Sequence, residues 1–266
     1  MSQHEKIQQY WNERAGSSAG ARSATTDDIH LRDLEVTTIS RVLAGKLAAG
    51  GTVLDLGCGD GDTTLRIAEA CPGLRFHGID YAPNMIALAQ ERLRDSPLRD
   101  RVSFAVGDAT TLSTMRERYA AVITCRVLIN IPEAAQQYDV VRQIASVLAP
   151  GGVYVATENF MDGQRNLTAA RATMGLPEIP VRWHNVFFER EPLLVELRKH
   201  FADAAIEDFA SSYYFATRVV YSAMCQMRNE KPDYDHEIHR LAPRLPPTGR
   251  FSPVQLIVAT TRKAAA

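Results

Sequence analysis

The sequence predicts an α/β fold: a seven-stranded, mostly parallel sheet with an antiparallel last strand and a helical lid at the N-terminus. Three observations carry this. Thr52–Leu56 is a short apolar run that leads through Gly57, Gly59 and Gly61 into an apolar helical segment holding Leu65, Ile67 and Ala68. The same alternation of short apolar run and helical segment then repeats along the chain. Finally, acidic residues stand at the ends of several runs, at Asp55, Asp80, Asp108 and Glu158, and parallel strands would bring them to one rim. Residues 1–48 read as an N-terminal helical cap, and 49–266 as the main domain with insertions near 159–186 and 211–252.

Taken in order, residues 3–15 place Ile7, Tyr10 and Trp11 at helical spacing on one face, and Ala15–Ala21 is a small-residue stretch that could hinge. Residues 27–48 read as a helix leading into the first strand. Leu74–Ile79 is the second strand, ending in Asp80, and Pro83 suits the first position of a helix carrying Met85, Ile86 and Ala89. Val102–Val106 and Ala121–Thr124 are the third and fourth strands. A helix spans about Glu133–Leu148, and Pro150-Gly151-Gly152 turns into a fifth strand, Val153–Thr157. After it come a helix over Asn166–Met174, a helix over Glu189–Phe201, and two strands, Ala204–Phe209 and Pro253–Thr261, paired antiparallel.

The chemistry concentrates at the first turn. Glycines let a ligand approach the backbone, and a helix start offers free N–H groups at the carboxyl end of the sheet. A dinucleotide fingerprint would need a third glycine at position 62, which is Asp62. Asp55, two residues before Gly57, would repel a pyrophosphate but could hold an ammonium or a ribose hydroxyl. Asp80 lies where an open α/β nucleotide fold places its ribose-binding carboxylate. The turn therefore suits a nucleoside without a phosphate.

With those residues in place, the segment from about 50 to 160 resembles the core of the class I S-adenosylmethionine-dependent methyltransferases. Val53–Gly61 is similar to that family's first motif, Gly78-Ile79-Asp80 to its acidic second strand, Gly107-Asp108-Ala109 to its adenine contact, and Leu148–Gly152 to the turn before strand five. The resemblance implies a Rossmann-like fold and S-adenosyl-L-methionine as cofactor. It implies that Gly57 and Gly59 pass under the methionyl part, that Asp80 holds the ribose hydroxyls and that Asp108 faces the adenine amine. Asp55, Cys58, Tyr81, Met85, Ala109 and Arg126 complete the expected cofactor site. Many small-molecule members carry His near position 130; this chain has Asn130, so a base there is in doubt.

The expected reaction is in-line transfer of the methyl group to a small-molecule acceptor. A sulfonium is already electrophilic, so the protein chiefly aligns the acceptor, and a base matters only if the acceptor has a proton to lose. His184, in the polar and aromatic cluster Arg182-Trp183-His184-Asn185, and Asn130 are the candidate catalytic residues. Tyr10, Trp11, Trp183, Glu158 and Asn159 are the candidate acceptor or lid contacts. Tyr10 and Trp11 could add cation–π attraction of roughly 0.5–2 kcal/mol. Two alternatives stay open. One is a cyclase that closes the cofactor's own amine to azetidine-2-carboxylate and releases methylthioadenosine; the other is a non-catalytic binder.

Composition narrows the classes. A formal net charge of -1 over 266 residues gives no basic field for nucleic acid. No run reaches membrane-spanning length, and no signal-peptide pattern opens the chain. Cys58, Cys71, Cys125 and Cys225 form no Cys-x-x-Cys pair, which suits free thiols in the cytoplasm. Cys58 reads as a buried filler and His77 as structural. His236 and His239 read as an exposed helix face, and no metal is expected. The aromatics Tyr213, Tyr214, Phe215 and Tyr221 read as core or dimer contact sooner than acceptor pocket. The protein is expected to be a monomer or homodimer.

Overall fold

In the computed structural model, which describes residues 1–17 and 23–264, seven strands form one sheet in the order β3-β2-β1-β4-β5-β7-β6. They are β1 (Thr52–Leu56), β2 (Arg75–Asp80), β3 (Val102–Val106), β4 (Tyr119–Cys125), β5 (Leu148–Asn159), β6 (Asp203–Glu207) and β7 (Val254–Thr260). β1 pairs in parallel with both β2 and β4, whereas β7 runs antiparallel to β5 and β6. The order reverses between β1 and β4, so the loops leaving these two strands diverge and open a crevice at their carboxyl ends. Of the stretch expected to hinge the N-terminal helix, residues 18–21 lie outside the described residues.

Strand alternation feeds two cores. Val53, Phe76, Ile123 and Val155 face α2 (Ile29–Lys46), α3 (Asp62–Ala70) and α4 (Pro83–Arg94). Leu54, Leu56, Val122 and Tyr154 face α5 (Ala134–Val147) and α7 (Arg190–His200). The side chains of neighbouring residues thus leave a strand on opposite sides, and each face buries its own helix layer. α1 (Gln3–Ser17) rests on α4, with Trp11 packed near Met85 and Ala82.

The remaining segments build a cap over the carboxyl edge. α6 (Met161–Thr173) follows β5, and a long helical run, Ser211–Met227, lies across it. That run is α8 (Ser211–Tyr214), a π-helical turn (Phe215–Val220) and α9 (Tyr221–Met227). α10 (Glu237–Leu241) closes the group. Leu31, Leu167, Tyr213, Tyr214 and Val219 form its apolar centre.

Several boundaries differ from expectation. α6 starts at Met161, five residues before Asn166, because the end of β5 is pinned by Phe188 N–H donating to Asn159 O (2.9 Å) and Met161 N–H to Phe188 O (2.9 Å). Gly163 is required there: a Cβ would sit 1.8 Å from the Ser252 carbonyl oxygen. His239 is not on an exposed face. It is buried, with its Nδ1 2.9 Å from the Tyr213 hydroxyl, because the short α10 turns one side onto Tyr213 and Tyr221. His236 does face solvent. No described helix is long and apolar enough to cross a membrane.

Candidate functional site

The crevice at the β1/β4 reversal widens into a cavity of about 300 Å³, roofed by α1, α6 and the π-helical turn. Its floor is the glycine turn. Gly57 (φ +71°) and Gly59 (φ +55°) adopt left-handed backbone that side chains disfavour. A Cβ on Gly57 would meet Val127 at 2.5 Å, and one on Gly59 would meet Thr25 at 2.8 Å. The glycines therefore admit the loop after β4 and the segment before α2 to the cavity wall as well as leaving backbone open.

Three carboxylates stand around this turn. Asp80 takes hydrogen bonds from Gly59 N–H and Ala82 N–H, both 2.9 Å. Asp55 accepts from the Thr64 hydroxyl at 2.5 Å. Burial pushes both carboxyls up to about 6, against the hydrogen bonds they accept. Asp108 accepts from Thr110 N–H and the Thr110 hydroxyl at 2.8 Å, and His4 of α1 approaches its other oxygen at 3.3 Å. Cys58, Tyr81, Met85 and Ala109 line the same side. Burial also holds the Cys58 thiol well above its usual range.

The loop after β4 supplies Arg126, whose left-handed φ of +59° is rare for a residue with a side chain. The conformation is held from both ends: Arg126 N–H donates to Thr157 O (2.7 Å), and Asn130 Nδ2 donates to Arg126 O (2.9 Å). The guanidinium reaches Glu35 of α2 at 3.0 and 3.1 Å. Arg32, on the same face of α2, lies 3.5 Å from Glu35 and donates to Thr63 Oγ1 (3.0 Å) and to Cys125. Both arginines line the cavity.

Across the cavity, β5 sorts its side chains by alternation. Asn159 lines the cavity, and its Oδ1 is buried without a hydrogen-bond partner. Glu158, expected at the rim, points to the opposite face with Tyr154 and Ala156. It is fully buried and accepts from Thr124 Oγ1 (2.8 Å) and from the N–H groups of Val127 and Leu128 (3.1 Å each) and Ile129 (3.4 Å). Its role is to hold the loop that carries Arg126 and Asn130. Burial lifts its carboxyl to about 7, although these donors favour the charged form. Asn130 lines the cavity, but its amide is spent on Arg126 O, Val127 O (3.3 Å) and Asn185 (3.2 Å), so it braces the loop.

His184 enters from the segment between α6 and α7. It is 3% exposed, lines the cavity, and its Nδ1 is buried with no partner. Its ring packs against Tyr10 (4.7 Å), Trp183 (5.2 Å) and Trp11 (5.8 Å). Burial and then Arg182 lower its pKa to about 4, so the imidazole is neutral at pH 7. Trp11 lines the cavity. Tyr10 and Trp183 do not: they support His184 from behind, and Trp183 is 58% exposed. Of the aromatic excursion, Tyr214 lines the cavity, Tyr213 and Tyr221 are buried, and exposed Phe215 packs on Phe251 (4.8 Å).

Two lining residues gave no signal as local motifs. Asp28 caps α2 through Leu31 N–H (3.0 Å), accepts from the Tyr213 hydroxyl (2.6 Å) and pairs with Arg218 of the π-helical turn. The Arg218 guanidinium lies 4.9 Å from the Tyr234 ring centre. Among the described residues, no group of three or more His, Cys, Asp or Glu is arranged to hold a metal.

The donor set fits a cationic nucleoside that carries hydroxyls and an amine. Asp55, Asp80 and Asp108 are acceptors at the glycine turn, Arg32 is a cation within reach of the same floor, and Asn159 lines the space with its Oδ1 buried and unpartnered. Residues 53–152 match the profile of a methyltransferase domain. Methyltransferase GfsG of Streptomyces halstedii is 29% identical over 150 residues, covering 56% of this chain and 52% of that protein. A demethylmenaquinone methyltransferase of Lactiplantibacillus plantarum is 31% identical over 156 residues, covering 58% and 59%. The chain thus spans about half the length of the curated relatives it matches. Magnesium protoporphyrin IX methyltransferase of Synechocystis PCC 6803, solved with bound S-adenosylmethionine, shares the fold over 98% of both chains at 13% identity, with a TM-score of 0.60. With the strand order, the glycine turn and its three carboxylates on one rim, residues 53–152 are similar to a methyltransferase domain, and the whole chain shares its fold with an S-adenosylmethionine-binding methyltransferase.

Proposed function

We propose that the cavity binds S-adenosylmethionine and that the protein transfers its methyl group to a small-molecule acceptor. The observation that carries the reading is the set of three carboxylates around the glycine turn, lining one cavity. When bound, the cofactor supplies an electrophilic methyl carbon on a sulfonium. Asp80 is suited to hold ribose hydroxyls and Asp108 the adenine amine, while Asp55 and Arg32 would take the amino acid end. Trp11 and His4 close the space from α1 and exclude water.

On the acceptor side, His184, which lines the cavity, is the candidate to accept a hydrogen bond from an acceptor hydroxyl or amine. Held neutral, it orients the acceptor and can receive its proton as the new bond forms. A relative named for demethylmenaquinone supports a small acceptor. Four free cysteines support a reducing compartment, the cytoplasm, and biosynthesis of small molecules as the setting.

The test follows the fate of methyl-labelled S-adenosylmethionine with and without a panel of hydroxylated and amino acceptors. The expected result is release of S-adenosylhomocysteine only when an acceptor is present, with the label on the acceptor. Rapid release of labelled methylthioadenosine without acceptor would instead identify ring closure, and an inert cofactor under all conditions would identify a binder.

A further inference from the structure

We infer that the acceptor carries a carboxylate, held on the cap side of the cavity by Arg182 and Arg218. The inference rests on the methyl-transfer reading and extends it to the substrate class. The carboxylates of Asp55, Asp80 and Asp108 stand together at the glycine turn, and the lining residues between 159 and 253 include two arginines and no acidic residue. Asp27 and Asp28, from the segment before α2, also line the cavity, and Asp28 pairs with Arg218. A cationic cofactor belongs at the glycine turn. Arg182 and the remaining donors of Arg218 are complementary to an anion.

Arg218 is built into place. The π-helical turn Phe215–Val220 interrupts an otherwise α-helical run, and such turns re-aim side chains at functional sites. Asp28 fixes one end of the guanidinium, and the Tyr234 ring lies 4.9 Å from its centre. Asp28 is already engaged by Leu31 N–H and the Tyr213 hydroxyl. Of the five guanidinium N–H donors, Asp28 and Thr217 Oγ1 (3.2 Å) take two, which leaves donors for a ligand oxygen.

Arg182 reaches the cavity from the exposed segment before His184 and makes no ion pair among the described residues. The two cations belong to segments that are tied together. Arg171 donates to Pro177 O (2.8 Å) and to the carbonyl of Arg218, and so joins the run leading to Arg182 with the π-helical turn. Guanidinium forks match the planar geometry of a carboxylate, which can accept from both. Leu167, Ile179 and Phe187 add apolar surface beside polar Gln164, His184 and Tyr214. The acceptor is therefore a partly apolar body bearing one carboxylate as its anchor, its methyl-accepting atom lying elsewhere on the molecule.

The test uses the protein saturated with S-adenosylhomocysteine and a panel of hydroxylated aryl and alkyl carboxylic acids, each beside its primary amide, with affinities from calorimetry. At least one acid should bind about tenfold or more tighter than its amide, the advantage expected of a charge-assisted hydrogen bond. Arg182→Ala, at an exposed position that should not disturb folding, should remove most of that preference and leave the amide's affinity in place. Arg218→Lys should do the same while still pairing with Asp28. No preference for any acid in the panel, absence of binding included, overturns the inference, as does a preference that survives both substitutions. Failure of S-adenosylhomocysteine itself to bind would instead count against the cofactor reading, and the acid–amide comparison on the protein alone would still decide the anion site.

Discussion

On the glycine-turn side of the cavity, Asp80 and Asp108 are held by backbone N–H groups of their own loops, two residues away at Ala82 and Thr110. Elsewhere in the wall, the charges are held by partners far along the chain. Arg126, after β4, is paired with Glu35 of α2, and Arg218, in the cap, with Asp28. The first arrangement is local and forms with the strand–turn–helix unit itself. The second exists only once α2 has docked between the sheet and the cap. The glycine-turn side is thus set by geometry within the strand–turn–helix units, and the rest of the wall by long-range pairs.

The largest expected effect breaks that second arrangement. Glu35→Ala removes the carboxylate shared by Arg126 and Arg32, both of which lie in the wall of the cavity. Leaving buried guanidinium groups unpaired costs about 3–5 kcal/mol. Denaturant unfolding should report a loss of that size, and a loss under 1 kcal/mol would mean the pairs are dispensable. A smaller effect sharpens the comparison from outside. Deleting residues 1–15 removes His4 and Trp11 from the wall and the support of Tyr10 behind His184, whereas the two sheet cores contain no residue of α1. The core should stay folded, with turnover reduced on the order of tenfold or more through loss of positioning. Unchanged turnover would make α1 a packing element only.

The smallest effect is on pH. Asp80 and Asp55 titrate near 6 in the ligand-free fold, above their usual range, because they are buried. A raised carboxyl favours the folded state at low pH, and this contribution is lost as pH rises through 6. Binding a hydroxyl or ammonium needs the ionised form, so the complex has the opposite dependence. The stabilisation given by S-adenosylhomocysteine should be constant above pH 6 and fall below it, by at most about tenfold in affinity per unit for each carboxylate. Thermal unfolding with and without ligand from pH 5 to 8 measures this, and a flat profile would remove Asp80 and Asp55 from the ligand.

How much of this was legible in the sequence follows the same division. β1 to β4, the glycine turn, Asp55, Asp80 and Asp108 were readable because each is announced by its immediate neighbours. Asp28 and Arg218 were not, since nothing near either residue signals the other. Arg32 and Glu35 did leave a trace: opposite charges three apart on the α2 face that also carries Leu31, Val36 and Ile39 are hard to bury unless they meet a partner. Glu158 misled for a simpler reason. A strand end reaches the rim, but the period of two decides whether a side chain faces the cavity, and it sends Asn159 there and Glu158 beneath.

The central claim, that the glycine-turn half is an S-adenosylmethionine site built on Asp80, is tested most directly by calorimetry with S-adenosylhomocysteine. Binding should be micromolar, survive EDTA and weaken by about tenfold or more in Asp80→Ala, since charge-assisted hydrogen bonds are worth roughly 1.5–3 kcal/mol. Asp80→Asn, which keeps a carbonyl oxygen for the N–H groups of the turn, should fall between the two. Equal affinity in all three proteins, or binding of NAD in place of S-adenosylhomocysteine, would contradict it.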